Sequence, residues 1–270
     1  MTVHENGPVT TKKATTTVRQ LSPEQLTEML ALADQADSVE LKLTVPDAHR
    51  RATVEALEID PLDAQVRQVV FFDTPDLQLD KAGVVVRARR VQGVGDDSVV
   101  KLRPVAPGDL PKRLRRAADF GVEVDAMPGG FVCSGSYKGK PRKAGVLDVL
   151  RDNQPVRKLF SKEQRAFFDD HAPEGVTLDD VVALGPIPLL KVKYAPPGLR
   201  RKMVAEMWFY PDGSRILELS TKCAPADALR VADEARGYLS GRGVDLGGEQ
   251  QTKTRTALRF YSKELATAGG

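Results

Sequence analysis

Six segments of the chain alternate apolar and charged residues. They are Val39-Glu40-Leu41-Lys42, Val86-Arg87-Ala88-Arg89, Val100-Lys101-Leu102-Arg103, Val122-Glu123-Val124-Asp125, Leu190-Lys191-Val192-Lys193 and Leu217-Glu218-Leu219-Ser220. Side chains two apart on a strand share a face, so Arg87 and Arg89 point one way, as do Lys101 and Arg103, and Lys191 and Lys193. A half-buried strand with its polar face in water alternates in the same manner. These polar faces, however, are rich in Lys and Arg, hold a few carboxylates, and are poor in the Ser and Thr common on solvated sheets. That composition places the charged faces inside a barrel.

The remaining periodicity fills in the elements. Ser22-Pro23-Glu24-Gln25 has a capping Ser, a Pro in the first turn and Gln at the capping-box position, with Leu26, Met29, Leu30 and Ala33 following at helical spacing. A strand is expected at 38–45, a helix from Asp47 to Leu57, and strands over Val66–Phe72, Val84–Val91 and Ser98–Val105. Gly93 and Gly95 with Asp96-Asp97 form the hairpin between the last two. Lys112 to Arg116 reads as a basic loop, 119–126 as a strand, 127–140 as a Gly-rich loop, and 141–185 as a mostly helical insertion. Strands resume at 187–195, 202–210 and 214–222, with Pro211-Asp212-Gly213 as a turn. Helices at about 225–241 and 248–266 close the chain. Hairpins flanked by helices make the fold class α+β. Residues 1–20 read as a disordered tail, and 21–266 as a single domain.

Composition narrows the function. The chain has 270 residues, of which 41% are hydrophobic, enough for a real core. Its 40 basic and 37 acidic residues nearly cancel, which argues against bulk nucleic-acid binding. Cys133 and Cys223 form no Cys-x-x-Cys pair, and His4, His49 and His171 lack metal-ligand spacing. No apolar run reaches the length of a membrane span, so a soluble, cytoplasmic protein is expected. Gly93-Val94-Gly95 is a hairpin turn rather than a dinucleotide loop, and Trp208 reads as barrel wall.

One ordered set goes further: Glu40-Leu41-Lys42, Phe71-Phe72-Asp73-Thr74-Pro75 with Leu77 and Gly83, Arg87-Ala88-Arg89, then Lys101-Leu102-Arg103. This set resembles the CYTH family, the triphosphate tunnel metalloenzymes, from about Val39 to Lys253. The phrase from Phe72 to Arg89 is its most specific part. The resemblance implies an eight-stranded antiparallel barrel whose tunnel binds a triphosphate through basic residues and holds Mg²⁺ or Mn²⁺ through carboxylates. Family members include thiamine triphosphatases, inorganic and RNA triphosphatases, and class IV adenylate cyclases.

Carried onto this chain, the resemblance assigns phosphate binding to Lys42, Arg87, Arg89, Lys101, Arg103, Lys191, Lys193 and Lys253. It assigns metal binding to Glu40, Glu123, Glu206 and Glu218, and makes Glu40 and Lys42 the catalytic residues. Two positions depart from the pattern. The first glutamate of Glu-x-Glu-x-Lys is Ser38, and the second of the late Glu-x-Glu is Ser220. Each departure removes a carboxylate that a hard divalent cation would use. The leading expectation is a metal-dependent triphosphatase. Its alternatives are a catalytically degenerate phosphate-binding module and an adenylate cyclase, which would need an adenine pocket. The expected partner is a triphosphate or polyphosphate small molecule, with no membrane and no nucleic acid.

Overall fold

A computed structural model describes residues 19–268; the tail expected at 1–20 lies almost wholly outside these residues, as does His4. Nine strands form one closed barrel: β1 (Ser38–Val45), β2 (Gln65–Asp73), β3 (Val84–Val91), β4 (Gly95–Leu102), β5 (Phe120–Met127), β6 (Gly130–Gly139), β7 (Val182–Tyr194), β8 (Met203–Phe209) and β9 (Arg215–Cys223). Around the wall the order is β1-β5-β6-β4-β3-β2-β7-β8-β9, closing back to β1. Eight helices accompany them among the described residues: α1 (Pro23–Asp34), α2 (Arg50–Ala56), α3 (Gln78–Lys81), α4 (Lys112–Arg115), α5 (Gly145–Asp152), α6 (Lys162–Asp169), α7 (Ala228–Gly241) and α8 (Lys253–Ala268).

The alternation seen in the sequence separates the two faces of the wall. Val84, Val86 and Ala88 of β3, with Val100 and Leu102 of β4 and Val122 and Val124 of β5, are buried in one apolar cluster with Met29 of α1, Val146 of α5 and Phe168 of α6. Leu43 of β1 and Leu217 and Leu219 of β9 pack with Leu239 of α7. The intervening charged residues therefore face the lumen. Burying the apolar set fixes that choice, because a slip of one residue would put every arginine and lysine under the helices.

The helices start where local chemistry predicts. Ser22 and Ser161 each accept from the backbone N–H three residues on, and Gln25 and Gln164 return the bond. Gln164 has a second task. Fully buried, it donates to the carbonyls of Ser98 and Tyr137, both at 3.1 Å, and accepts from the Ser98 hydroxyl at 3.0 Å. It fits because Gly139 leaves the space: a Cβ there would lie 2.3 Å from Gln164 Oε1. The insertion is thus pinned to β4 and β6 by hydrogen bonds the buried groups require.

Several expectations are adjusted. The barrel has nine strands rather than eight, and β1 pairs β5 in parallel, Ser38 opposite Glu123 and Glu40 opposite Asp125. The added strand is β6, which lies in the stretch read as a Gly-rich loop. Its small residues admit close neighbours; a Cβ on Gly135 would come 2.8 Å from the Phe120 ring. The insertion is two short helices, and its expected end at 185 overlaps β7, which begins at Val182. The basic loop at 112–116 is mostly the short helix α4. The closing helix starts at Lys253, not 248, because Gln250 and Gln251 bond the backbone and hydroxyl of Thr44 on β1. Asp73 of the Phe72-Asp73-Thr74-Pro75 phrase is buried away from the lumen. It accepts from the N–H groups of Thr74, Leu79 and Asp80 at 2.7–3.0 Å, so this phrase turns the chain from β2 into α3.

Candidate functional site: a charged tunnel

The lumen is a cavity of about 220 Å³ closed in by the inward faces of β1, β3 to β9 and the start of α8. Eight cationic side chains line it: Lys42, Arg87, Arg89, Lys101, Arg103, Lys138, Lys191 and Lys253. They face five carboxylates, those of Glu40, Glu123, Asp125, Glu206 and Glu218. Cations are therefore in excess inside a wall with a low-dielectric outer layer, where charges are focused.

The carboxylates form two groups. On β1 and β5, Glu40, Glu123 and Asp125 each offer an oxygen, and these three atoms lie within 4.8 Å of one another. Lys42 bridges the group, 3.1 Å from Glu40 and 2.8 Å from Asp125. Lys101 and Arg103 approach Asp125 from β4, both at 3.6 Å, and Lys222 pairs with Glu123. Burial opposes the charge on Asp125, but Lys101 and Lys42 outweigh it and hold the carboxyl below its ordinary value. Burial likewise opposes the charge on Lys42, and Asp125 and Glu40 outweigh it, so this ammonium is held above its ordinary value. At Lys101 the pull of Asp125 is outweighed. Burial, with Lys42 and Arg103 nearby, lowers it to about 8.

The second group sits where Glu206 of β8 stands directly opposite Glu218 of β9. Like charges so placed repel, and Lys253, the first residue of α8, enters between them. Its Nζ meets Glu206 and lies 2.7 Å from Glu218. Glu206 also accepts from Lys191 at 2.8 Å and from the Trp208 indole N–H at 3.2 Å. Burial works against ionised Glu206, but Lys253 and Lys191 together hold its carboxyl well below the ordinary value.

Arg87 differs from all of these. No carboxylate among the described residues lies within 4 Å of it, while Arg89 beside it makes a two-pronged pair with Asp97 at 2.8 Å. The Nε of Arg87 is buried with no hydrogen-bond partner. Burial, then the neighbouring Arg89, lower the guanidinium to about 10.

The tunnel brings together every expected site residue but one. Lys193, two places after Lys191, is exposed and stands outside the lining. The four expected metal residues do not converge: Glu40 and Glu123 meet Asp125, whereas Glu206 and Glu218 share Lys253. Asp125 has a sequence signal, since it lies two residues after Glu123 on one face. Lys138 had little, because its strand was masked by glycines. Ser38 and Ser220 stand where the resemblance expects carboxylates. The Ser38 hydroxyl donates to Glu123 at 3.4 Å and the Ser220 hydroxyl to Glu40 at 3.0 Å.

Among the described residues, no helix is long and apolar enough to cross a membrane. No protein-family model and no curated protein matches the sequence. Solved structures do resemble the fold. A candidate adenylate cyclase from Bacillus halodurans is 13% identical with a TM-score of 0.57, covering 82% of this chain and 97% of its own. An adenylyl cyclase candidate from Hippeastrum, described as having a dominant triphosphatase activity, is 16% identical with a TM-score of 0.58, covering 82% and 94%. At these identities the likeness is one of architecture. The chain therefore has the CYTH-like tunnel-barrel fold.

Proposed function

We propose that the tunnel binds a linear triphosphate or short polyphosphate and hydrolyses its terminal anhydride with a divalent metal ion. The observation that carries this reading is Arg87. Its Nε is buried without a partner and no carboxylate among the described residues lies within 4 Å of the guanidinium, a cost that an anion placed against it removes. Arg offers phosphate oxygens a planar fork, and lysines add point charges. Lys42, Arg87, Arg89, Lys101, Arg103, Lys191 and Lys253 cradle the phosphates, and Lys138 waits at the rim.

The donor set on β1 and β5 suits a hard cation, since Glu40, Glu123 and Asp125 supply converging carboxylate oxygens. When bound, Mg²⁺ or Mn²⁺ supplies charge neutralisation for the reacting phosphoryl group. The chain's own residues do the rest. The lysines and arginines hold the phosphates in line, and Glu40 orients water toward the terminal phosphorus. Water adds to that phosphorus and releases a proton to solvent, the anhydride P–O bond breaks, and its electron pair leaves with the shortened chain.

A second reading is binding without turnover, and the two serines favour it. Where carboxylates are expected, Ser38 and Ser220 donate hydrogen bonds to Glu123 and Glu40, so two metal ligands are missing. The test is phosphate release from tripolyphosphate, thiamine triphosphate and ATP with Mg²⁺, Mn²⁺ or EDTA, with cyclic AMP measured in the ATP arm. Metal-dependent phosphate release supports hydrolysis. Binding without release supports the second reading. Cyclic AMP and pyrophosphate would replace both with cyclisation.

A further inference from the structure

The tunnel does not end at Lys253. Gln250, Gln251 and Thr252 line both the lumen and a second surface groove that runs along α8. On that groove α8 presents Arg255, Arg259 and Lys263, all exposed. Residues four apart on a helix share a face, and these three extend over about 12 Å at the helical rise. The opposite face of α8 is apolar and spoken for: Ala257 and Leu258 are buried against the barrel, with Tyr261 and Leu265 beside them.

Three like charges in one row repel, and they outnumber the two acids on the groove, Asp212 and Glu249. Among the described residues, none of the three has a carboxylate oxygen within 4 Å. Of the two acids on the groove, Asp212 is held by the backbone N–H of Ser214 at 2.9 Å, and Glu249 is exposed. A solvated helix face ordinarily mixes both signs to avoid this. Here the row begins two residues after the lysine that enters the lumen.

We infer that α8 carries a polyanion subsite continuous with the tunnel, and that the ligand is a linear inorganic polyphosphate longer than the lumen. The inference rests on the tunnel reading above. The lumen holds the chain end among Arg87, Lys191 and Lys253. The following phosphates pass Gln251 and lie against Arg255, Arg259 and Lys263. Capture of the end raises the effective concentration of the next phosphates at the stripe, so long chains gain affinity that tripolyphosphate cannot. Because the stripe is exposed, its share of the binding is salt-sensitive.

The experiment compares tripolyphosphate with long-chain polyphosphate, at equal concentration of chains, on the full-length protein and on R255Q/R259Q/K263Q. Glutamine keeps helix propensity while removing the charge. The wild type is expected to bind the long chain at least about tenfold more tightly than tripolyphosphate. The triple variant should lose that gain, lower the salt slope by about two to three for the long chain, and keep its tripolyphosphate affinity. Unchanged long-chain affinity in the variant overturns the subsite, and so does an equal loss for both ligands. A 5′-triphosphorylated oligoribonucleotide that gains more from the stripe than polyphosphate does would overturn the assignment to an inorganic chain. Failure of tripolyphosphate to bind the wild type overturns the tunnel reading itself. Normal tripolyphosphate binding with no long-chain gain overturns only the extension along α8.

Discussion

Replacing Arg87 with methionine should stabilise the ligand-free protein while weakening its hold on phosphate. Arg87 lies on the inward face of β3, with its Nε buried and unpartnered and no carboxylate within 4 Å among the described residues. Burial and the adjacent Arg89 lower its guanidinium to about 10, well below its ordinary value. That difference corresponds to on the order of 3 kcal/mol working against the charged form in the empty tunnel. Methionine keeps the aliphatic length and drops the charge. Even if lumen water screens two thirds of the cost, about 1 kcal/mol returns to the folded state, which raises Tm by about 2–4 °C in a domain of this size. The same change removes a charge-assisted contact to phosphate worth about 1.5–3 kcal/mol, so affinity falls roughly tenfold to a hundredfold. The assay is thermal melting at low salt with and without tripolyphosphate. Trp208 is the only tryptophan in the chain and lines the lumen, so its fluorescence reports binding directly. A variant that melts lower than the parent and binds tripolyphosphate equally well would refute the argument, because Arg87 would then be a structural group.

Glu206 provides the pH test. Lys253 and Lys191, working against burial, hold its carboxyl below the unfolded value near 4.5, so its contribution to stability is present above that value. It is lost as pH falls toward the folded value; Glu206→Gln should therefore flatten the drop in Tm between about pH 5 and 3, and parallel curves would contradict this. Phe168 is fully buried under the wall among residues of α5 and α6, and Phe168→Ala should cost about 3–5 kcal/mol by denaturant titration without altering the tunnel's ligand preference. Ser38→Glu with Ser220→Glu should tighten Mn²⁺ binding, read by the loss of the free-ion resonance, and lower the metal-free Tm. An unchanged Mn²⁺ affinity would show that the missing carboxylates do not limit the metal.

Much of this architecture was legible because burial has a period. Val84, Val86 and Ala88 are buried while Arg87 and Arg89 are not, and a two-residue period can be read without knowing which strands pair. The same rule failed at β6, where Gly135, Gly139 and serines replace the apolar alternation. There the strand is specified by what its neighbours need, a gap for Phe120 and another for Gln164. Lys193 shows the opposite limit. It has the right phase, but phase alone does not place a residue in the lining. Convergence is also invisible in a line of residues. Glu40 and Asp125 stand opposite one another only because β1 and β5 run parallel, a pairing no local pattern announces. Of the phrase that best marked the resemblance, Phe72 to Arg89, the opening Phe72 to Pro75 makes a turn, whereas Arg87 and Arg89 line the lumen.

The two halves of the tunnel place different demands on a ligand. Every lumen carboxylate already has a lysine within 4 Å: Lys42 at Glu40 and Asp125, Lys222 at Glu123, Lys191 and Lys253 at Glu206, and Lys253 at Glu218. Glu40, Glu123 and Asp125 would hold a metal ion only after giving up Lys42 and Lys222, and Ser38 and Ser220 offer hydroxyls where further charge would help. An anion would face the reverse situation, because Arg87, which has no carboxylate within 4 Å among the described residues, would gain a partner. On the proposed reading the anion would bind first, and by drawing Lys42 toward its oxygens it would free Glu40 and Asp125. Affinity for phosphate should then survive loss of metal ligands, whereas turnover should not. That asymmetry is why binding and hydrolysis must be measured separately in this protein.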